Sequence, residues 1–279
     1  EKSYKSFRSK ETVILKKYED IYLLELFHGP TLAFKDIALQ VIGNMYEKFL
    51  LNQKNKINIV VATSGDTGSA AINAIKGRNK LNIFVLHPQN KISEVQRKLM
   101  TTVKENNVFN IAVKGNFDDC QNLVKSMFVD NEFKNKINMS GVNSINWARI
   151  ISQIVYYFYA FFKIEEKGKK INFSVPTGNF GDVYAGYISK RMGLSINKLI
   201  VATNRNDILK RAINTGEYKI ADVVETISPS MDIQVASNFE RLIFDINSNN
   251  DSNVKEKMKN LKEQKFFKID NNQLKIIKH

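Results

Sequence analysis

A single lysine stands where a reactive amine would be useful. The apolar run Leu23-Leu24-Glu25-Leu26-Phe27 ends in His28-Gly29-Pro30, and Lys35 follows at the start of an amphipathic stretch. Ile37, Ala38, Val41, Ile42, Met45, Tyr46, Phe49 and Leu50 recur at helical spacing, which puts Lys35 in or just before the first turn. Free backbone N–H groups and the positive end of the helix dipole disfavour an ammonium there and favour anions nearby. On local features alone a solvated lysine is the ordinary reading. Two later segments share one design, an apolar strand, a glycine loop and a helix start. In the first, Ile57–Thr63 leads into Ser64-Gly65-Asp66-Thr67-Gly68 and a helix from Ser69. In the second, Ile171–Pro176 leads into Thr177-Gly178-Asn179-Phe180-Gly181-Asp182 and a helix over Val183–Arg191. Glycine lets the backbone approach a ligand closely, and first-turn N–H groups then face an anion. Taken singly, each loop is also an ordinary strand-to-helix turn capped by Ser64, Thr67 or Asp182. Neither loop has the dinucleotide or P-loop spacing.

The elements that must carry these loops alternate. Strand-like runs recur at 21–27, 57–63, 82–87, 108–113, 171–176 and 197–203, most followed by helical stretches, including 92–105 and 117–129. That order predicts an α/β fold with largely parallel sheets. Residues 145–162, rich in tyrosine and phenylalanine, read as a buried helix joining two lobes. The polar run Asn247–Asn253 reads as a surface loop before a further helix.

The lysine segment and the two loops, in this order, resemble the threonine synthases, pyridoxal-phosphate (PLP) enzymes of the tryptophan-synthase-β-like group. The matching pieces are Leu24–Asp36, Ala62–Gly68, Asn143-Ser144-Ile145-Asn146 and Gly178–Asp182, with Ala202-Thr203-Asn204 and Ser230-Met231-Asp232 also similar. The resemblance implies PLP-dependent fold type II, with 53–143 as a smaller lobe inserted into a larger one made of 1–52 and 144–279. It implies conversion of O-phospho-L-homoserine and water to L-threonine and phosphate. Lys35 would carry PLP covalently and then move protons among the substrate's Cα, Cβ and Cγ, which requires helix start and burial to depress its pKa. Gly178, Asn179, Phe180 and Gly181 would cradle the cofactor phosphate, and Asp66 would lie near the ring hydroxyl. Ser64, Gly65, Thr67 and Gly68 would receive the substrate carboxylate. Asn146 and Arg149, three apart on one helical face, suit the substrate phosphate; the alternative is a cap at Ser144 with a surface arginine. The family also has a helical region before the lysine segment and a late glycine-containing segment facing the ring nitrogen. Neither is found here, so the chain reads as an internal fragment, expected to be poorly soluble and weakly active or inactive.

The composition narrows the classes. A chain of 279 residues with 43% apolar content suits about two domains. A net charge of +14 raises a non-catalytic phosphate- or nucleic-acid-binding protein as an alternative, but the lysines are scattered among asparagines and isoleucines rather than clustered. No nucleic-acid partner is therefore expected. A second alternative is a PLP-dependent dehydratase or lyase of the same group, which needs no phosphate pocket. One cysteine, Cys120, excludes an internal disulfide and suits a reducing compartment. Three histidines and that cysteine leave little for a metal, and His87 and the terminal His279 stand apart from the suspected chemistry, unlike His28. No apolar run reaches the ~20 residues of a membrane span, and no signal segment opens the chain, so a cytoplasmic protein is expected.

Overall fold

The structure, a computed structural model, describes residues 2–164 and 168–278; His279 lies outside them. The chain divides into two compact units, Glu1–Ser152 and Gln153–His279.

The first unit opens with an antiparallel hairpin, β1 (Ile14–Tyr18) and β2 (Ile21–Glu25). Next come α1 (Lys35–Phe49), β3 (Ile57–Ala62), α2 (Asp66–Ile75), β4 (Leu81–Pro88), α3 (Glu94–Thr101), β5 (Val108–Val113), α4 (Phe117–Val129), α5 (Asn131–Lys136) and β6 (Met139–Ser140). Four strands form one parallel sheet in the order β5-β4-β3-β6. The β3 residues explain the layers. Ile59 and Val61 point to one face, where they pack with Ile83 and Val85 of β4 against Leu39 and Ile42 of α1 and Ala71, Ile72 and Ile75 of α2. Val60 points to the other, against Cys120 and Val124 of α4. A parallel sheet covered on both faces needs such continuous apolar strands. The backbones of α1 and α2 come close because position 43 is glycine: a Cβ there would lie 2.6 Å from the Ala74 carbonyl. Cys120 is buried, and burial pushes its thiol up, as suits a structural residue.

The helix α6 (Trp147–Lys163) contains the division between the units. It was expected to be buried, yet Trp147, Ile151, Val155 and Phe162 are exposed while Ile150, Tyr156, Tyr157 and Ala160 are buried. Its apolar content is amphipathic in placement.

The second unit holds β7 (Ile171–Pro176), α7 (Gly181–Arg191), β8 (Ile196–Ala202), α8 (Ile208–Thr215), β9 (Glu217–Lys219), α9 (Phe239–Ile246), α10 (Asp251–Gln264), β10 (Phe266–Lys268) and α11 (Asn271–Lys278). β7 and β8 pair in parallel and β9 with β10 antiparallel. Tyr218 stacks between Phe239 and Phe267, with ring centroids 5.1 and 4.8 Å away, and its hydroxyl accepts the Ala236 N–H at 2.8 Å. The polar run at 247–253 is shorter as a loop than expected. Asn250 accepts the Asn253 N–H and starts α10 at Asp251. Among the described residues no helix is long and apolar enough to cross a membrane.

Asn107 closes the connection between α2 and β4. Its Nδ2 donates to the carbonyls of Ile75, Arg78 and Leu81 at 3.0, 3.2 and 2.8 Å, and its Oδ1 accepts the Gly77 N–H at 2.9 Å. With about 0.5–1.5 kcal/mol net for each such bond, Asn107→Ala should lower stability by about 2–3 kcal/mol, read as a reduced urea midpoint at unchanged slope.

Candidate active site

Lys35 is the first residue of α1, and the loop before it is closed by its neighbour. The Asp36 carboxylate, fully buried, accepts the Thr31 N–H and the Thr31 hydroxyl, both at 2.8 Å. Gly29 makes room for this, since a Cβ there would fall on the Asp36 carboxylate. The Lys35 side chain is only 13% exposed. Its Nζ lies 3.3 Å from Asp66 Oδ2 and 4.5 Å from the centre of the Phe34 ring, a cation–π distance. Asp66 thus compensates a charge that the helix start disfavours. Nearby, buried Glu25 accepts Lys16 at 2.7 Å and faces His28 Nε2 at 2.8 Å; the Lys16 bond, aided by His28, holds its carboxyl below the usual range.

The loop after β3 is built on a residue that motif reading passed over. Thr63 is buried, and its Oγ1 accepts both the Gly65 and the Gly68 N–H at 2.9 Å. Those two glycine donors are thereby committed to the loop itself, while Ser64 and Thr67 stay half-exposed on it. Gly65 has φ 141°, open only to glycine, and immediately precedes Asp66, the first residue of α2. Gly68 is needed for packing, because a Cβ there would meet Thr63 Cγ2 at 2.5 Å and Met100 Sδ at 2.7 Å. One Asp66 oxygen takes Lys35 and the other takes the Gln96 amide, a second partner not foreseen from motifs.

The loop after β7 is held from several sides. Thr177 N–H donates to the Ala202 carbonyl at 2.9 Å, keeping the loop at the strand ends. Gly178 sits so near the Ser230–Ile233 segment that a Cβ would lie 3.0 Å from Ile233 Cδ1 and 3.2 Å from Met231 Cα. The Asn179 carbonyl accepts the Asn238 N–H at 3.0 Å and the Asn238 amide at 3.1 Å. Phe180 is left-handed at φ 64°, and its buried ring meets Phe239 edge-on at 5.2 Å. A non-glycine residue there costs roughly 1–3 kcal/mol and persists because its surroundings hold it. Gly181 then starts α7. Asp182, once a candidate cap, instead accepts the hydroxyls of Tyr156 and Tyr157. Burial, reinforced by Asp182, pushes the Tyr157 hydroxyl well above its ordinary value.

Asn146 caps α6: its Oδ1 accepts the Ala148 N–H at 3.0 Å and its Nδ2 donates to Gly141 O at 3.2 Å. Arg149 is 3% exposed and donates to Val142 O at 3.3 Å, so it is a buried arginine rather than a surface one.

Residues 13–259 match the family model of the pyridoxal-phosphate dependent enzymes. The chain belongs to this family. As a pyridoxal-phosphate dependent enzyme of fold type II, it is similar to the threonine synthase of Eremothecium gossypii, 51% identical over 260 residues, covering 88% of this chain and 51% of that one. The threonine synthase of Pseudomonas aeruginosa is 52% identical over 235 residues, 84% of this chain and 50% of that one. Among solved structures, PLP-bound threonine synthase from Brucella melitensis superposes with a TM-score of 0.91 at 48% identity, covering 99% of this chain and 60% of that one. The yeast threonine synthase gives 0.90 at 44% identity, covering 99% and 59%. The chain spans about half the length of the curated relatives it matches.

The residues present fit the family's cofactor on structural grounds. A mostly buried amine suits an aldehyde, and a glycine loop packed tightly at Gly178, opening onto a helix start, suits a phosphate.

The buried Asp36 carboxyl is raised above its ordinary 3.8 chiefly by desolvation, against the Thr31 hydrogen bonds. A raised carboxyl favours the folded state most below its unfolded pKa, and that contribution is lost as pH rises through the folded value. The stability of the parent minus that of Asp36→Asn should therefore fall as pH rises above 3.8. Urea titrations over a pH series check the sign.

Proposed function

We propose that this chain carries the lysine, phosphate-loop and substrate-loop part of a threonine synthase, which converts O-phospho-L-homoserine and water to L-threonine and phosphate. The observation that carries the reading is the mostly buried Lys35 amine paired with Asp66 at 3.3 Å, in a chain about half of whose residues are identical to those of threonine synthases. The names of those relatives support threonine as the product, and a buried arginine supports a phosphorylated substrate.

When bound, PLP supplies an electron sink for charge at the substrate α-carbon. Lys35 would hold the cofactor and would move protons at the substrate's Cα, Cβ and Cγ. Asp66 would keep the Lys35 amine in place. The N–H groups at 178–181, with the start of α7 behind them, bind the cofactor phosphate. Ser64 and Thr67 bind the substrate carboxylate, and Gly65 and Gly68 shape the loop through Thr63. Arg149 grips the substrate phosphate, and Asn146 sets the helix start that aims it. For the whole protein we keep the reading of 53–143 as a smaller inserted lobe, supported by the β3–β6 sheet lying within those numbers. A cytoplasmic location is supported by a single, buried, free cysteine.

Incubating the chain with PLP, reducing with borohydride and mapping by mass spectrometry should place the adduct on Lys35, and Lys35→Ala should remove it with the fold retained. Adducts spread over other lysines with Lys35 unmodified would overturn the reading. In the whole protein, phosphate release from O-phosphohomoserine should exceed deamination of threonine; the opposite ratio selects a dehydratase.

Arg149→Lys keeps the charge but loses the planar fork. In the whole protein it should raise KM for O-phosphohomoserine about 10- to 100-fold, as expected for losing a charged hydrogen bond of about 1.5–3 kcal/mol, with PLP capture unchanged. Unaltered KM would return Arg149 to a purely structural role.

A further inference from the structure

Gln96 sits in the first turn of α3, a helix whose one buried residue is Met100. Ser93 caps this helix: its Oγ accepts the Gln96 N–H at 3.3 Å and donates to Gln96 Oε1 at 3.1 Å. A Ser-x-x-Gln start ordinarily sends the Gln side chain back to the cap's own N–H. Here the amide turns outward. With its oxygen toward Ser93, its Nε2 donates to Asp66 Oδ1, and Asp66 Oδ2 faces Lys35 Nζ at 3.3 Å. The amide also fills the space beside Gly65, where any Cβ would overlap it. Ser93, Gln96, Asp66 and Lys35 therefore form an ordered series that crosses from α3 through α2 to α1.

We propose that Gln96 is a positioning residue for Lys35: by tying one Asp66 oxygen it presents the other to the amine. A carboxylate held at one oxygen only is free to turn about its Cβ–Cγ bond. The Gln96 bond at Oδ1 restrains such turning and helps hold the lysine's partner in place. A second carboxylate near this amine, Asp36 on α1, is occupied by Thr31. The role matters for catalysis only if Lys35 is the cofactor's anchor, as argued above.

The test reads the amine directly and needs no cofactor. Trace acetylation of Lys35 with acetic anhydride, quantified by mass spectrometry across roughly pH 7–11, reports where the amine loses its proton. The full chain is compared with Gln96→Glu and Gln96→Met, both close to glutamine in length, and thermal melts confirm folding. Gln96→Glu sets a second carboxylate against Asp66 and should move the midpoint up by about one pH unit. Gln96→Met removes the bond to Asp66 Oδ1 and should move it down by about half a unit, in the opposite direction. A merely structural glutamine would shift melting while leaving the methionine variant's midpoint at the parent's, since the glutamate variant's added charge raises its midpoint in either case. Folded variants whose profiles overlay the parent's would overturn the proposal; if the glutamate variant fails to fold, the methionine variant decides it. Failure of PLP to label Lys35 in the parent would instead overturn the anchor reading and leaves the acetylation result standing on its own.

Discussion

Two helices that both begin at a charged residue are joined by the pair Lys35–Asp66. An ammonium at a helix start is unfavourable, a carboxylate at a helix start is favourable, and at 3.3 Å each supplies what the other's position lacks. Much of the first unit is arranged so that this contact can exist. The close approach of α1 and α2 through Gly43 sets the distance between the two helices, and the continuous apolar strands beneath give them a floor. Thr31 and Asp36 close the loop before the lysine, and Thr63 gathers the loop before the aspartate. The two loops use the same economy, a short polar side chain collecting backbone donors.

The second unit solves a related problem with a larger polar network. Asp232 accepts the side-chain amides of Asn204 and Asn206 at 2.7 and 3.1 Å, and the Thr226 hydroxyl and N–H at 2.7 and 2.9 Å. Asn206 in turn binds Val224 through both its oxygen and its amide. Residues 220–228 have no helix or strand, yet their polar groups are tied to the residues just past β8. The turn at Pro229–Met231 that follows them is the surface against which Gly178 lies. The glycine loop after β7, close-packed at Gly178, thus rests on an irregular segment tied together by side-chain amides.

What could be read from the residues follows from this division of labour. The strand at 57–62 was legible because it is covered on both faces and therefore continuously apolar, whereas 108–113 and 171–176, in which exposed positions alternate with covered ones, were legible only as short strand-like runs ahead of helical stretches. The helix start at Lys35 was legible from spacing, but α2 and α7 begin at Asp66 and Gly181, inside the stretches read as glycine loops, rather than at Ser69 and Val183. β1 escaped notice because Lys16 and Lys17 interrupt it, and β9 and β10 because three residues carry no period. The helix at 147–163 was read as buried because its aromatic content is high, whereas burial depends on which face those residues occupy. The site's amino acids were legible as types, but their partners were not. Nothing local in Ala62-Thr63-Ser64 says that the threonine, not a ligand, takes two glycine N–H groups. Gln96 stands 30 residues from Asp66, and their meeting is a product of the sheet order β5-β4-β3.

The closure of the Gly29–Phe34 loop has an implication for how such a chain can drift over time. A side chain at 29 is admissible only once position 36 has shrunk, yet a smaller residue at 36 no longer reaches Thr31. Each single step leaves either an overlap or an open loop beside the lysine, so the two positions lie in a valley that neither exits alone. Related chains are therefore expected to keep or exchange them together, as one inherited character rather than two.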